Sequence, residues 1–277
     1  MPVSYQPTYV APVGSVPPQT ATITSKAVLR PEYALLPGSS VTDNVRSVLP
    51  GWEGARCWIL ASPAMGHAAG FAQYLIFLAP GGHCEEPEPE EGVESFLFAL
   101  DGELTLLMES HSHSLRRGGF AFVPPGARWS LRNAAGEATK FLWLRKAYEP
   151  LAGHEPSAIV NHEQDVAPVI NPTSESKWTT NLIPVNDLAY DMHMNIVSFG
   201  PGTTISAIEM HIMEHGLYML QGRGLYLVND RWHEVEAGDF IWMRAFCPQA
   251  FIQSGPEPAR YLLYKNVNRQ VLVRPPS

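Results

Sequence analysis

GVESFLFALDGELTLL at residues 92–107 and MEHGLYMLQGRGLYLV at residues 213–228 are the two stretches whose comparison decides the fold. Placing Gly102 on Gly222 lays Gly118 on Gly238, Phe120 on Phe240, Leu142 on Leu262 and Arg145 on Lys265 with no gap. RRGGFAFVPPGARWSL (116–131) then falls on EAGDFIWMRAFCPQAF (236–251), and KFLWLRKAY (140–148) on RYLLYKNVN (260–268). One such match could be chance; three at one constant offset indicate an internal duplication, of longer period than solenoid repeats. Each half reads as strand, Gly turn, strand, polar turn, a Gly-Gly or Gly-Asp turn, strand, Pro, strand and a last apolar strand. Short apolar runs punctuated by 25 Pro and 22 Gly predict an all-β chain. Closing each meander into a barrel or jelly roll removes its exposed edges.

Around this core the chain divides into four parts. Residues 1–50 are rich in Pro, Ser and Thr and read as an N-terminal arm with a few strands. Residues 51–150 form the N-terminal barrel, 151–190 a linker and second arm packed on the outside, and 191–277 the C-terminal barrel. The 277 residues and 45% hydrophobic content suit two small domains with real cores. A net charge of −8, with no basic face, excludes a nucleic-acid partner. Cys57, Cys84 and Cys247 are too few and too far apart for a disulfide framework, and fit a reducing compartment. No secretory leader pattern and no apolar run near the ~20 residues of a membrane span are present, so a cytoplasmic protein without a membrane partner is expected.

The sharpest local signal is IEMHIMEHGLYMLQG, residues 208–222. Glu209 and His211 differ by two residues and share a face on a strand. His215 opens the next strand, and Gln249 follows a Pro on a later one that suits a neighbouring position. A carboxylate, two imidazoles and an amide oxygen without thiolate suit an octahedral Mn(II), Fe(II) or Ni(II) better than structural zinc, and leave two open coordination sites. The plain alternative is two ordinary histidines; the position inside a duplicated barrel, before a Gly turn, favours the metal. The first half is an internal control, because its equivalent positions are Pro89, Glu91, Ser95 and Trp129. None is histidine, so one metal per chain is expected, in the C-terminal barrel. The acidic tract EEPEPEEG (85–92) lacks EF-hand spacing and reads as a solvated loop.

In RYLLYKNVNR, Tyr261, Leu263 and Lys265 share one face. If Lys265 points inward, burial lowers its pKa and favours a neutral amine as base; if outward, it is a surface lysine. Tyr226 shares parity with Gly222 and Gly224, and is either a hydrogen-bonding group for a substrate or a core or rim tyrosine. Trp242, Met243, Phe246 and Phe251 read as packing residues. Asp239 sits in a turn where Asp bonds nearby backbone, and is not assigned to catalysis.

These motifs together resemble the (S)-ureidoglycine aminohydrolase family, which are bicupins: two jelly-roll (cupin) β-barrels in one chain. YALLPGSSV (33–41), LPGW (49–52), RKAYEPLAGHEP (145–156) and YDMHMNIVSFGPG (190–202) extend the resemblance over most of the chain from about residue 30. It implies a manganese enzyme that releases ammonia from (S)-2-ureidoglycine, a small-molecule substrate, to give (S)-ureidoglycolate in purine (allantoin) breakdown. It also implies Glu209, His211, His215 and Gln249 as ligands of one Mn(II), and substrate contacts at Tyr226, Tyr261 and Lys265. Lys265 is the first candidate for proton transfer, and Glu209 could exchange between ligand and base. Bicupins commonly associate, so a homo-oligomer is expected. Asn266 departs from the family's YKD motif; by parity it faces away from Lys265 and should affect support rather than chemistry. The rivals are another metal-cupin enzyme, an Fe(II) dioxygenase or an isomerase, and a bicupin that binds a small ligand without turnover.

Overall fold

The computed structural model describes residues 26–41, 47–65, 69–172, 174–205, 207–266 and 269. The Pro-rich start, 1–25, lies outside them, as does most of the chain after Asn266. Among the described residues there are only strands and short 3-10 turns, as the Gly and Pro punctuation predicts, and no helix is long and apolar enough to cross a membrane. Cys57, Cys84 and Cys247 are buried free thiols.

The arm gives β1 (Val28–Leu29) and β2 (Tyr33–Leu36). The first half gives β3 (Glu53–Ala61), β4 (Ala72–Cys84), β5 (Val93–Asp101), β6 (Glu103–Met108), β7 (His111–Arg116), β8 (Gly119–Val123), β9 (Trp129–Arg132) and β10 (Thr139–Ala147). Between the halves come β11 (Ile159–His162), β12 (Val169–Asn171) and β13 (Ser174–Asn181). The second half gives β14 (His193–Phe199), β15 (His215–Gln221), β16 (Arg223–Val228), β17 (Arg231–Glu236), β18 (Phe240–Met243), β19 (Gln249–Ser254) and β20 (Ala259–Lys265).

The duplication is visible strand by strand. In the first half β8, β5, β10 and β4 lie side by side, with β3 on β4; in the second, β18, β15, β20, β14 and β13 repeat that order. The run β7-β6-β9, joined to the first sheet where β9 pairs with β4, corresponds to the separate three-stranded sheet β17-β16-β19. Gly102 and Gly222 occupy one position and one conformation, φ +74° and +71°, which a side chain rarely adopts. A Cβ on Gly222 would lie 2.5 Å from the Pro258 carbonyl oxygen, and one on Gly102 2.8 Å from Thr139 Oγ1.

The arms cross over between the halves. β2, which precedes the first barrel, pairs with β18 of the second; β11, which follows the first barrel, pairs with β8 of the first. β13 pairs along β14 and β12 along β13, so the sheet of the second barrel already includes residues from 169 onward. The segment read as an outer linker thus contributes β11 to the sheet of the first barrel and β12 and β13 to that of the second.

Strand alternation divides the apolar side chains into three cores. Phe141 and Trp143 of β10 fill the first barrel, and Tyr261 and Leu263 of β20 line the second. Leu142, Leu144, Leu262 and Tyr264 point the other way, into a third core between the barrels. Burying each such large side chain is worth roughly 1.5–3 kcal/mol. The two barrels are therefore packed back to back through their larger sheets, which fixes the outer face of every strand that carries a candidate site residue.

Candidate active site

His215 is the first residue of β15 and lies opposite Lys265, the last residue of β20. On its other side Lys265 lies opposite His193, the first residue of β14. Directly opposed residues of antiparallel strands share a face. His193, Lys265 and His215 therefore form one row on the inner wall of the second barrel, the face that also carries Tyr261 and Leu263. Lys265 points inward. Burial lowers its pKa, the Glu209 carboxylate opposes that shift, and Lys177 adds to it.

Gln249 opens β19 and exchanges two backbone hydrogen bonds with Glu209, Glu209 N–H to Gln249 O at 2.8 Å and Gln249 N–H to Glu209 O at 3.0 Å. This single bridge carries the 207–211 segment across the barrel mouth, where the Phe246 N–H also donates to the His211 carbonyl at 2.7 Å. Gln249 Nε2 lies 3.0 Å from His211 Nε2, and the His211 and His215 rings are 4.6 Å apart between centroids. The Tyr226 hydroxyl donates to Gln249 Oε1 at 3.0 Å and is itself bonded to the Tyr261 hydroxyl. Tyr261, Tyr226, Gln249 and His211 thus make a continuous polar chain. A tyrosine hydroxyl both donates and accepts, so the amide of Gln249 is satisfied in either orientation, and one of them turns Oε1 toward His211.

His211 Nδ1 and His215 Nε2 are buried with no hydrogen-bond partner. Orphaned buried nitrogens are uncommon in native proteins and mark a missing ligand or ion. Burial, then the Lys265 charge, lowers the His211 pKa, with Glu209 opposing; burial, Lys265 and His211 push His215 well below the ordinary imidazole value. Both rings are thereby held neutral, the state that binds metal. With the neighbouring amide and no thiolate, His211, His215 and Gln249 fit a divalent transition ion.

The four expected ligands divide three to one. Glu209 is solvent-exposed, and among the described residues no group of three or more His, Cys, Asp and Glu side chains converges. Its charge nevertheless acts on His211, Tyr226, Tyr261 and Lys265, so its carboxylate stands at the rim of the same site. Burial is the main cause that raises both tyrosine pKa values, keeping the hydroxyls protonated as donors.

The first barrel fills the equivalent space. Ser95, in the place of His215, accepts from Trp143 Nε1 at 3.1 Å, and Trp129, in the place of Gln249, packs edge-on to Trp143 at 6.0 Å. Arg145, in the place of Lys265, makes two hydrogen bonds of 2.5 Å to Glu88. That acidic tract is therefore not wholly a solvated loop: the Glu88 side chain is 5% exposed and closes the barrel mouth.

Three residues near the site escaped the sequence reading or were left without a partner. His193 was passed over because no motif surrounds it, although its parity with Asn195, Val197 and Phe199 could have placed it inside. Glu214 is buried with its carboxylate on Trp242 Nε1 and on the Gly70 N–H, the latter a contact between halves that no spacing discloses. Asn266 accepts from the Glu214 N–H at 2.8 Å, a supporting role that its amide oxygen performs as a carboxylate would. Asp239 accepts from the Glu236 N–H at 2.9 Å, as its turn position predicts, and also from the Gly38 N–H of the arm at 2.9 Å.

The cupin domain model matches residues 74–145 and 195–264, one copy per barrel. The (S)-ureidoglycine aminohydrolase of Escherichia coli (strain K12) is 32% identical over 82% of this chain and 86% of its own length. That of Arabidopsis thaliana is 32% identical over 90% of this chain and 80% of its own. A crystal structure of a Pseudomonas aeruginosa protein described as glyoxylate-induced aligns with a TM-score of 0.89 and 43% identity, covering 98% of this chain and 100% of that one.

Proposed function

From the premise that this chain belongs to the cupins and, within them, to the (S)-ureidoglycine aminohydrolase family, we propose that it hydrolyses (S)-2-ureidoglycine to (S)-ureidoglycolate and ammonia, a step of purine breakdown. The observation that carries this reading is the inner wall of the second barrel. His211, His215 and Gln249 stand together there, Lys265 lies directly across from His215, and two imidazole nitrogens lack partners.

His211, His215 and Gln249 would hold one Mn(II), and Glu209 would be the anionic ligand. Such an ion supplies Lewis-acid polarisation and a template for the substrate's amine and carboxylate. The chain's own groups supply the proton chemistry. Net reaction breaks the carbon–amine bond and forms a carbon–oxygen bond from water. Lys265 Nζ, deprotonated more readily because it is buried, accepts the proton of the attacking water and returns it to the departing amine. Glu209 is the alternative acceptor of that proton. Tyr226 and Tyr261, protonated and linked to Gln249, orient the ureido and carboxylate groups. Packed apolar walls exclude bulk water from the reacting carbon.

The test is ammonia release from freshly prepared ureidoglycine by chelator-stripped protein, before and after addition of Mn(II). Activity should return with the metal; equal rates in both samples would remove the metal from the mechanism. Lys265→Met should retain Mn(II) and lose roughly 10²–10⁴-fold in kcat, the span of general acid–base catalysis. Oxygen uptake instead of ammonia release would point to a dioxygenase, and tight binding without turnover to a ligand-binding bicupin.

A further inference from the structure

The first barrel holds no equivalent of the metal ligands, yet its segment 70–73 is packed against the back of β15 and β20, the strands that carry His215 and Lys265. Glu214 immediately precedes His215 and is 5% exposed. Both of its carboxylate oxygens lie 3.0 Å from the Gly70 N–H of the first barrel, and Oε1 also accepts from Trp242 Nε1 at 2.6 Å. Its own N–H donates to Asn266, the residue after Lys265. On the other side of His215, a Cβ on Gly216 would lie 2.6 Å from the Phe71 ring and 2.9 Å from Gln73 Oε1, so only glycine lets the strand sit this close. Trp242 and Tyr264 both lie opposite Gly216, and the Tyr264 ring is 4.2 Å from that of Phe71. Alternation places His215 and Lys265 on the inner face while Glu214, Gly216, Tyr264 and Asn266 face the first barrel.

We propose that Glu214 and its partner Gly70 are positioning residues: the first barrel braces the start of β15 and the end of β20, and thereby sets where His215 and Lys265 stand. This inference rests on the function proposed above. A sheet residue cannot hold a metal nitrogen to within a few tenths of an ångström unless its backbone is fixed from behind. Close by lies a counterpart of different chemistry, and the charges of Glu214, Glu94 and Asp191 all act on Tyr264. By the duplication Glu94 corresponds to Glu214 and Lys146 to Asn266, and by the register of β4 and β14, where the shift is one residue longer, Asp191 stands in the place of Gly70. There Lys146 bridges Asp191 and Glu94, and the residue after Glu94 is Ser95 rather than a histidine. That counterpart is as deeply buried, but the strand on which Glu94 lies carries none of the metal-ligand positions.

The experiment compares full-length wild type, Glu214→Leu, Glu214→Gln and Glu94→Leu by Mn(II) titration calorimetry, Tm, and kcat and KM for ureidoglycine. Glu214→Leu should weaken Mn(II) binding by about 10–100-fold, as loss of an outer supporting contact does, and lower kcat more than it raises KM. Glu214→Gln keeps one acceptor oxygen for two donors and should fall between. Glu94→Leu should change Tm and leave Mn(II) affinity at the wild-type value. If Glu214→Leu fails to fold, Gly70→Ala gives the same readout, because its Cβ would lie 3.0 Å from Glu214 Oε2 and displace the carboxylate. Equal losses of affinity in the Glu214 and Glu94 variants would reduce the brace to general loosening and overturn the proposal, as would unchanged affinity in both Glu214→Leu and Gly70→Ala. A wild type that binds Mn(II) in a Glu214-dependent way and releases no ammonia would sink the proposed activity and leave the brace standing. A wild type that takes up no metal would sink both.

Discussion

One row of the sheet reads Ala72, Arg145, Ser95 in the first barrel and His193, Lys265, His215 in the second. Strand order and register are the same, so the difference is chemical. The first barrel satisfies each polar member: Arg145 is paired with Glu88, Ser95 accepts from Trp143, and Trp52, Trp129 and Tyr74 pack around the Trp143 ring. The second leaves imidazole nitrogens unpartnered beside a buried lysine. A buried unsatisfied polar group costs about 1–3 kcal/mol. An arrangement that stores this penalty in one copy and removes it in the other marks where a ligand belongs, since proteins depart from local rules chiefly at functional sites.

The largest expected effect tests that division directly. His215→Ala should abolish Mn(II) binding and lower kcat/KM on the order of 10³-fold or more, about 4 kcal/mol of transition-state stabilisation. Ser95→Ala, the same position in the other copy, should leave kcat/KM at the wild-type value and reduce stability by about 1 kcal/mol through the lost Trp143 hydrogen bond. Comparable activity losses in the two variants would erase the distinction between the barrels. Next in size is the converse experiment. Trp143→Ala empties the first barrel and should lower stability by about 3–5 kcal/mol in denaturant unfolding, while the folded fraction keeps its Mn(II) stoichiometry. Tyr226→Phe removes the hydroxyl that holds Gln249 Oε1, and should reduce kcat/KM by about tenfold with little change in Tm. His193→Phe sharpens the row itself: it replaces the residue across from Lys265 with a ring of similar size, and a kcat indistinguishable from wild type would confine the chemistry to Lys265 and His215.

Which of these features the sequence discloses follows from the range of the forces involved. The duplication is legible because glycines that need a positive φ, such as Gly102 and Gly222, and the alternating strands recur at fixed positions. His211, His215 and Gln249 are legible because ligands flank turns within one half and have no counterpart in the other. The inward direction of Lys265 follows from parity only once an apolar inner face is known, which is why both orientations stood open. The Glu214–Gly70 contact joins residues far apart in sequence through a backbone N–H, a donor that leaves no mark on composition. The exchange of β2 and β11 between barrels is hidden for the same reason: an edge strand's sequence does not say which free edge it will cover. Glu209 is the instructive intermediate case. Its spacing from His211 predicts one shared face, but it lies outside the regular strands, in a segment held by a single bridge to Gln249, where strict alternation lapses.

The smallest expected effect concerns pH, and again separates the barrels. Burial lowers the pKa of His193, His211 and His215 below the ordinary 6.5. The unfolded chain therefore binds more protons at these sites, so their contribution is fully present above pH 6.5 and is lost as pH falls through the folded values. Buried carboxyls act in the opposite sense. Burial raises Glu94, Glu163 and Glu214 above 4.5, so their protonated forms contribute stability at low pH that is lost as pH rises through their folded values. A wild-type curve mixes the two, and only a difference isolates the histidines. In metal-free protein, the unfolding free energy of wild type minus that of His215→Gln should fall between pH 7.5 and pH 5.5, by an amount bounded at about 1.4 kcal/mol per pH unit for one proton. The same subtraction with Ser95→Ala should stay flat. A flat His215 difference would mean that the imidazole titrates in the folded chain as it does in the unfolded one, which would leave the second barrel no better prepared for a cation than the first.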